Sequence, residues 1–307
     1  MRKKRDIKSY LTILFFILAA CRTSERKPQP DRYDEGIINV SADESFKPVI
    51  DEQVEVYEVK YPKTKIRVSY KPESDCIRDM GVDSVRMVII TRRFSEEEKN
   101  YMVDSMKVSP SQLLLAYDAI AVVVHPESED DFFTMGGIRN VLTGNFRKNL
   151  IPVFDGLKAT STIRFIVDSV LRGQVLTSKA LAAPNSEEVI NYVAKNKDAV
   201  GFIGVSWIGN KDDPQQQSFL KKVKLAHIES EFASGKYFLP VQMNIYDGWY
   251  PMRRELFSIL KENYPTGLGH GFRNFMTGEQ GQLIFRRAYL VPGQLQFNNR
   301  SAVIREE

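Results

Sequence analysis

Residues 37–48 read IINVSADESFKP, and this stretch decides the fold class. Its first four residues, Ile37–Val40, form a short apolar run that favours a β-strand. From Phe46 to Tyr61 the apolar side chains recur every three to four residues, which is the pattern of an amphipathic helix. A strand joined to a helix by a short polar turn is the basic unit of an α/β fold.

The same alternation continues along the chain. Further strands are predicted at Lys65–Tyr70, Val85–Ile90, Ala119–Val124, Ile151–Phe154 and Ala199–Val205. Helices are predicted after Ser95 and at Ile138–Leu142, Thr160–Leu171, Ser186–Lys195, Met252–Asn263 and Phe272–Ala288. Strands that alternate with helices predict an α/β fold with largely parallel sheets. Because no long linker divides the chain, two lobes would have to share strands or crossovers.

The charge of the chain is concentrated at its N-terminus. The sequence has 43 basic and 39 acidic residues and a formal charge of +4. Residues 1–20 contain five of the basic residues and one of the acidic ones, so 38 of each remain beyond them. A balanced body offers no excess of Lys and Arg for a phosphate backbone, which argues against nucleic-acid binding. The hydrophobic content of 43% argues against disorder.

Residues 1–20 have the pattern of a secretory signal peptide: a basic start, a short apolar run and a small-residue end. The run is too short for a permanent membrane-spanning helix. It ends in Leu-Ala-Ala followed by Cys21, which resembles the bacterial lipobox and predicts lipidation of that cysteine, where it would act as the anchor. The alternative is an ordinary signal peptide. Residues 21–36, polar and proline-containing, are predicted to form a tether.

Few residues suit catalysis or metal binding. The three histidines are not spaced as metal ligands, and with Cys21 lipidated only Cys76 remains as a thiol, so a zinc site has too few soft ligands. Cys76 is predicted to be a small core residue. The stretch Gly204–Ile208 begins like a nucleophile elbow but lacks its closing glycine, so a strand-end serine is predicted there.

Small hydroxyl residues at helix starts are the more informative feature. Thr160, Ser161 and Thr162 open a predicted helix after the Asp155-Gly156 turn, with Lys158 and Arg164 nearby. Free N–H groups together with hydroxyls can bind an anion, although a single Ser or Thr there is commonly an N-cap. The segments Asp43–Phe46 and Thr91-Arg92 also follow predicted strands. Ligands of open α/β sheets bind beyond the carboxyl ends of strands.

From Ile37 onwards the chain resembles the periplasmic phosphate-binding family, the substrate-binding proteins of phosphate ABC transporters. The stretch Ser45-Phe46-Lys47-Pro48 is similar to the family's Ser/Thr-Phe-x-Pro phosphate loop. Residues 158–162 lie where the family has its Gly-Ser-Gly-Thr-Ser stretch. Further similarities lie at Ala199–Gly204, Tyr250–Arg254, Phe275–Gln282 and Val291-Pro292. The resemblance implies a two-lobe periplasmic-binding-protein fold of type II, with a ligand cleft between the lobes.

The sequence departs from the family at three places. Where the family has Ser-Asp after its third strand, with the Asp accepting the proton of phosphate, this chain has Thr91-Arg92. The family's arginine shortly before the Gly-Ser-Gly-Thr-Ser stretch is missing, and Lys158 is the nearest cation. The second family loop, usually Gly-x-Gly with a serine, is Lys71-Pro72-Glu73-Ser74-Asp75 in this chain. Either the proton acceptor comes from Asp43, Glu44, Glu73 or Asp75, of which we favour Glu44 or Asp75, or the protein is not strictly a phosphate binder.

These observations predict a lipid-anchored solute-binding component of an ABC importer that captures inorganic phosphate or a related oxyanion. The resemblance assigns residues 37–116 and 246–307 to one lobe and 117–245 to the other. The partners implied are the transporter permease and the membrane, for a monomer without cofactor, metal or nucleic acid. The alternatives are a phosphate-sensing or structural surface lipoprotein and a periplasmic phosphate-ester hydrolase. The predicted ligand contacts are Glu44, Ser45, Phe46, Ser74, Thr91, Arg92, Lys158, Thr160, Ser161 and Thr162.

Overall fold

The computed structural model describes residues 31–156, 160–210, 212–262 and 264–294. Apolar runs bounded by polar turns form its strands. The strands are β1 (Glu35–Asp43), β2 (Lys63–Lys71), β3 (Val85–Ile90), β4 (Ser111–Val124), β5 (Phe132–Phe133), β6 (Ile151–Phe154), β7 (Leu181–Ala182), β8 (Ala199–Gly204), β9 (Lys224–Leu225), β10 (His227–Glu229), β11 (Tyr237–Phe238), β12 (Arg253–Leu260) and β13 (Val291–Pro292).

Helices cover the sheet and begin at capping side chains where the sequence supplies them. Ser95 forms a capping box with Glu98, as its position before three glutamates predicts. The helices are α1 (Lys47–Lys60), α2 (Glu73–Asp79), α3 (Glu96–Met106), α4 (Met135–Thr143), α5 (Ser161–Phe165, continued as a π-helix over Ile166–Leu171), α6 (Ser186–Lys195), α7 (Pro214–Lys222), α8 (Gln242–Tyr246), α9 (Leu268–Thr277) and α10 (Glu279–Arg287).

The main sheet has ten strands, eight of them in the order β2-β1-β3-β12-β4-β8-β6-β7, and β13 and β9 also pair with β4. The outer pairs are parallel, namely β1 with β2 and β3, and β6 with β7 and β8. The central pairs are antiparallel, namely β12 with β3 and β4, and β4 with β8. The prediction of largely parallel sheets is therefore right for the flanks and wrong for the centre.

The long strand β4 joins two halves of this sheet. Its residues Ser111–Ala119 pair with β12, and Ile120–Val124 pair with β8. We call β1, β2, β3, β12 and β4 up to Ala119, with the turns and helices that directly follow these strands, the first half. We call β6, β7, β8 and β4 from Ile120, with the turns and helices that follow them, the second half. The halves thus share a strand, as the lack of a linker in the sequence predicts.

The prediction of a helix at Met252–Asn263 is wrong, because this segment contains β12. Leu256, Phe257, Ile259 and Leu260 have a spacing that also suits a helix. In the sheet all four are buried, since β12 lies between β3 and β4 and is covered on both faces. A strand buried on both faces shows no alternation of polar and apolar residues, so its period cannot distinguish it from a buried helix.

Two other predicted helices differ at their ends. The predicted helix Phe272–Ala288 is two helices, α9 and α10, separated by the extended backbone of Gly278. The sequence predicts that Gly173 closes the helix Thr160–Leu171. The helix is present, but Arg172 is its left-handed closing residue, and Gly173 follows with φ +91°. Helix boundaries depend on capping geometry that a periodic pattern does not specify.

The chain enters the fold before the predicted end of the tether. Strand β1 begins at Glu35, and the carboxylate of Asp31 accepts hydrogen bonds from Arg86 and Tyr264. The predicted signal peptide, Cys21 and the tether up to residue 30 lie outside the described residues. Among the residues that the structure describes, no helix has both the length and the apolar composition to cross a bilayer.

The core supports both halves. The largest apolar cluster contains residues of the first half such as Ile38 and Leu256 and residues of the second such as Phe154 and Phe202. A smaller cluster under β3 contains Cys76, whose thiol pKa is raised by burial. The prediction that Cys76 is a small core residue is confirmed. A buried thiol with a raised pKa is a poor nucleophile.

Candidate functional site

Polar residues converge where the strand ends of the two halves meet. Strand β1 ends at Asp43, and β6 is followed by Asp155. Strand β12 runs antiparallel to β3 and β4, so its first residues, Arg253 and Arg254, lie at the edge where β3 ends. The side chains or backbones of these segments contact one another across the two halves. We call the following group the central polar cluster: Asp43, Glu44, Ser45, Asp118, Asp155, Ser161, Thr162, Ser186 and Arg254.

Arg254 is the cation of this cluster and is almost fully buried. Its Nε donates to Asp118 Oδ2 at 2.6 Å. Its Nη1 donates across the halves to Ser161 Oγ at 2.9 Å and to Thr162 Oγ1 at 3.4 Å. The guanidinium lies 5.1 Å from the ring centre of Phe46. Its Nη2 is buried and has no hydrogen-bond partner among the described residues.

Asp43 contacts both halves of the sheet. Its Oδ1 accepts from the backbone N–H of Ser45 at 2.9 Å, which is the N-cap bond of the turn before α1. Its Oδ2 accepts from the backbone N–H of Ser161 at 3.4 Å, at the start of α5. A carboxylate that accepts from two buried N–H groups occupies a place where a bound oxyanion could be held.

Hydroxyl and carboxyl groups of both halves complete the cluster. Ser45 and Ser186 each donate to Asp155 Oδ2 at 3.4 Å, and Ser186 also lies 3.4 Å from Glu44 Oε2. Ser206, which follows β8, donates to the carbonyl of Ser45 at 2.9 Å and so holds the first turn in place. Asp155 Oδ1 is buried and lacks a partner in the described part of the chain.

The carboxyl groups of the cluster have raised pKa values. Burial, together with Asp155 and Asp43, raises the pKa of Glu44 to about 8. Burial and the charge of Asp43 raise the pKa of Asp155 to about 6. Burial also raises the pKa of Asp43, against the attraction of Arg254. At neutral pH Glu44 is therefore mostly protonated.

A second polar group links the halves beside the cluster. Arg164 on α5 donates from Nε to Glu73 Oε2 at 2.6 Å and from Nη2 to Thr91 Oγ1 at 2.8 Å. Thr91 donates from its backbone and hydroxyl to Glu73 Oε1 at 2.8 and 2.7 Å. Burial raises the pKa of Glu73, but Arg164 and Thr91 lower it by more, so the net shift of this pKa is downward. This group, Glu73, Thr91 and Arg164, is called the bridge.

A cavity of about 310 Å³ lies beside the bridge, and it brings several sequence-predicted residues together. Ser74, Arg92 and Thr160 line it, together with Arg164 and Asp168. Both of its arginines are already paired, Arg92 with Glu98 and Arg164 with Glu73. The cavity therefore offers no unpaired guanidinium among the residues described.

The structure divides the sequence-predicted contacts into three sets. Glu44, Ser45, Ser161 and Thr162 belong to the central polar cluster, and the ring of Phe46 lies beside Arg254. Thr91 belongs to the bridge, and Thr160 caps α5 through its bond from the N–H of Ile163. Arg92 and Ser74 lie outside the cluster, and Ser74 contacts Asp75, which is itself paired with Arg78. Lys158 lies outside the described residues.

Sequence reasoning missed four central residues: Arg254, Asp118, Asp155 and Ser186. Arg254 was hidden because its segment has the spacing of a helix. Asp118 did leave a signal, since it is a lone acid in the apolar run of β4. A charge in the middle of a buried strand is expected only where a partner is also buried. No group of described His, Cys, Asp or Glu residues has the geometry of a metal site.

A family model described as a PBP superfamily domain matches residues 26–280, which is most of the chain. The chain belongs to this superfamily. The predicted resemblance to periplasmic binding proteins is thereby confirmed at the level of this superfamily. A comparison with curated proteins finds no match in sequence.

Several solved structures share the fold of this PBP superfamily member. A candidate phosphate ABC transporter substrate-binding protein from Clostridium perfringens, solved with bound phosphate, is 19% identical over 84% of this chain and 99% of its own, with a TM-score of 0.68. An ABC-type phosphate transport receptor from Vibrio cholerae is 18% identical over 84% and 100%, with a TM-score of 0.61.

A similar fold also occurs in a structure that is not named as a transport protein. The OxyR C206 mutant of Corynebacterium glutamicum is 12% identical over 92% of this chain and 71% of its own, with a TM-score of 0.53. The fold alone therefore does not determine the ligand, and the chemistry of the site must do so.

Proposed function

We propose that the chain is the lipid-anchored solute-binding component of an ABC importer and captures inorganic phosphate or a related oxyanion. The central polar cluster is the binding site, and the role is binding rather than catalysis. Membership of the PBP superfamily supports a solute-binding role. The neighbour solved with bound phosphate and the phosphate transport receptor support phosphate as the first candidate ligand.

The unpaired Nη2 of Arg254 is the observation that carries this proposal. A buried guanidinium N–H without an acceptor is costly, and an oxyanion that accepts from it would remove that cost. Hydrogen bonds between two charged groups are about twice as strong as neutral ones. The hydroxyls of Ser45, Ser161, Thr162 and Ser186 lie in the same cluster and can donate to the remaining ligand oxygens.

Asp155 is a better candidate acceptor for the phosphate proton than Glu44 or Asp75, the residues favoured from the sequence. Asp75 lies outside the cluster and pairs with Arg78. Glu44, with a pKa of about 8, holds its own proton at neutral pH and would donate to a ligand. Asp155, with a pKa of about 6, is mostly ionised at pH 7 and has a free buried Oδ1 among the described residues. An acceptor beside the ligand favours phosphate over sulfate, which has no proton to donate.

The pairing of β4 supports the proposed lobe boundaries. The predicted crossing near residues 116 and 117 lies close to the change from β12 to β8 pairing at Ala119 and Ile120. The predicted return at residue 246 coincides with the end of α8, shortly before β12. We assign one lobe to each half of the sheet, so that hinge motion would open the cluster to solvent.

The lipid anchor and the transporter complete the proposal. The basic start, short apolar run and Leu-Ala-Ala-Cys order support cleavage before Cys21 and its lipidation. The closed form would then dock on a membrane permease. Labelling with a radioactive fatty acid tests the anchor, and the label is expected in the wild type and to be lost in Cys21→Ala.

A thermal-shift screen with phosphate, arsenate, sulfate and molybdate tests the binding role. A ligand at 100 times its Kd stabilises the native state by about 2.7 kcal/mol, so the melting temperature rises with concentration. We expect phosphate and arsenate to raise it more than sulfate does. No shift with any oxyanion would contradict the proposal and favour a structural lipoprotein. Turnover of a chromogenic phosphate ester with added metals would favour the hydrolase.

A further inference from the structure

The carboxylate of Asp43 has more contacts than helix capping requires. An N-cap Asp uses one oxygen to accept from a backbone N–H of its own helix start. In this chain Oδ1 makes that bond to Ser45, and Oδ2 accepts from the N–H of Ser161, 118 residues away on the other half. The carboxylate is also completely buried, whereas a cap on a surface helix stays in contact with water.

The surroundings of Asp43 combine one cation with several acids, and burial raises the pKa of its carboxyl. Arg254 attracts the carboxylate, while Glu73 repels it. Asp43 in turn raises the pKa values of Glu44 and Asp155, and Cys76 is a further titratable neighbour. The two backbone N–H groups and the nearby guanidinium are the donor types that bind a free oxyanion.

We infer that the Asp43 carboxylate is an internal occupant of the oxyanion position and competes with the solute for the same donors. The inference rests on the proposed function and adds a control of affinity to it. Phosphate can take the N–H groups of Ser45 and Ser161 only when the side chain of Asp43 moves away. The same carboxylate contacts both halves through these two hydrogen bonds.

Competition from the Asp43 carboxylate should weaken phosphate binding. A group tethered to its site by a short segment has an effective concentration on the order of millimolar or more. A solute that must displace it binds with an affinity reduced by the fraction of molecules in which the site is free. Removing the carboxylate while keeping an N-cap should therefore tighten phosphate binding. Ser suits this purpose, since it is a good N-cap and is shorter than Asp.

Calorimetric titration with inorganic phosphate and with sulfate tests the inference on four proteins: wild type, Asp43→Ser, Asp43→Asn and Asp75→Ser. Asp75→Ser is the matched control, because it removes a carboxylate near the start of a helix but outside the cluster. We expect the Kd for phosphate to fall at least tenfold in Asp43→Ser and to fall less in Asp43→Asn, which loses the charge but keeps the volume. The control should match the wild type.

The outcomes separate the inference from the proposed function. Phosphate binding that weakens in both Asp43 variants would make Asp43 an acceptor for the ligand's proton and would overturn the inference alone. An unchanged Kd in both variants would also overturn it. Binding of neither anion by any of the four proteins would overturn the proposed function and the inference with it. If Asp43→Ser fails to unfold cooperatively, Asp43→Asn carries the test, since Asn is also a strong N-cap.

Discussion

At the scale of single residues, the central polar cluster contains more acidic side chains than basic ones. Arg254 is its cation, whereas Asp43, Asp118 and Asp155 are buried acids and Glu44 is a half-buried one. Four ionised carboxylates beside one guanidinium would repel one another strongly in a medium of low dielectric constant. Raised pKa values relieve this repulsion, because a protonated carboxyl is neutral and can donate a hydrogen bond.

Stability should therefore fall with rising pH, and Glu44 should account for part of the fall. Its pKa rises from an ordinary 4.5 to about 8 on folding, so the folded state binds more protons between these values. The free energy of unfolding then decreases as pH rises, with a slope of at most about 1.4 kcal/mol per pH unit for one group. Asp155, with a pKa of about 6, contributes mainly at lower pH.

Urea unfolding at pH 6.5 and pH 8 measures this effect. We expect the loss of stability between these two pH values to be smaller in Glu44→Gln than in the wild type. The exposed Glu97 on α3 provides the control, and Glu97→Gln should behave as the wild type does. An identical loss in Glu44→Gln and wild type would contradict the raised pKa of Glu44.

At the scale of elements, the sequence predicted the flanks of the sheet better than its centre. Strand β1 was predictable because the apolar run Ile37–Val40 lies before a polar turn. Strand β2 was predictable because apolar and polar residues alternate in Lys65–Tyr70. The segment Met252–Asn263 was misread, because a strand covered on both faces loses its alternation. That single error concealed Arg254, since a predicted helix placed it far from the strand ends where a ligand binds.

The candidate site was predictable only where a local rule applied. Ser45, Ser161 and Thr162 were found because helix starts attract hydroxyls, a preference visible in a few consecutive residues. Asp155 and Ser186 join the cluster through contacts across the halves: Asp155 with Ser45, 110 residues away, and Ser186 with Glu44, 142 residues away. Such a contact depends on the topology of the sheet, which no local pattern encodes.

The bridge between α2 and α5 should couple the two halves energetically. Glu73 is buried and Arg164 is about one-third exposed, so the pair is screened less than a surface pair. We expect a coupling energy of about 1–3 kcal/mol between Glu73→Gln and Arg164→Gln in a double-mutant cycle on urea unfolding. The exposed pair Lys47–Asp51 on α1 is the reference, with about 0.3–0.5 kcal/mol. A coupling no larger than that of the reference would contradict the bridge.

At the scale of the whole molecule, the halves contact each other through the same residues that would bind a solute. Ser161 contacts Arg254 and Asp43, and Ser45 contacts Asp155, so closing the halves and assembling the site are one event. A protein that closes around its ligand uses the same arrangement to exclude water. The balanced charge beyond residue 20 means that attraction for an anion must be local, centred on Arg254.

Calorimetric titration of phosphate into the wild type, Arg254→Lys and Arg92→Lys tests the central claim most directly. Lys keeps the charge at position 254 but loses the planar donor geometry that contacts Asp118 and Ser161. We expect Arg254→Lys to weaken phosphate binding at least tenfold, about 1.4 kcal/mol, and Arg92→Lys to leave it unchanged. Undiminished binding in Arg254→Lys, or a loss confined to Arg92→Lys, would contradict the assignment of the site.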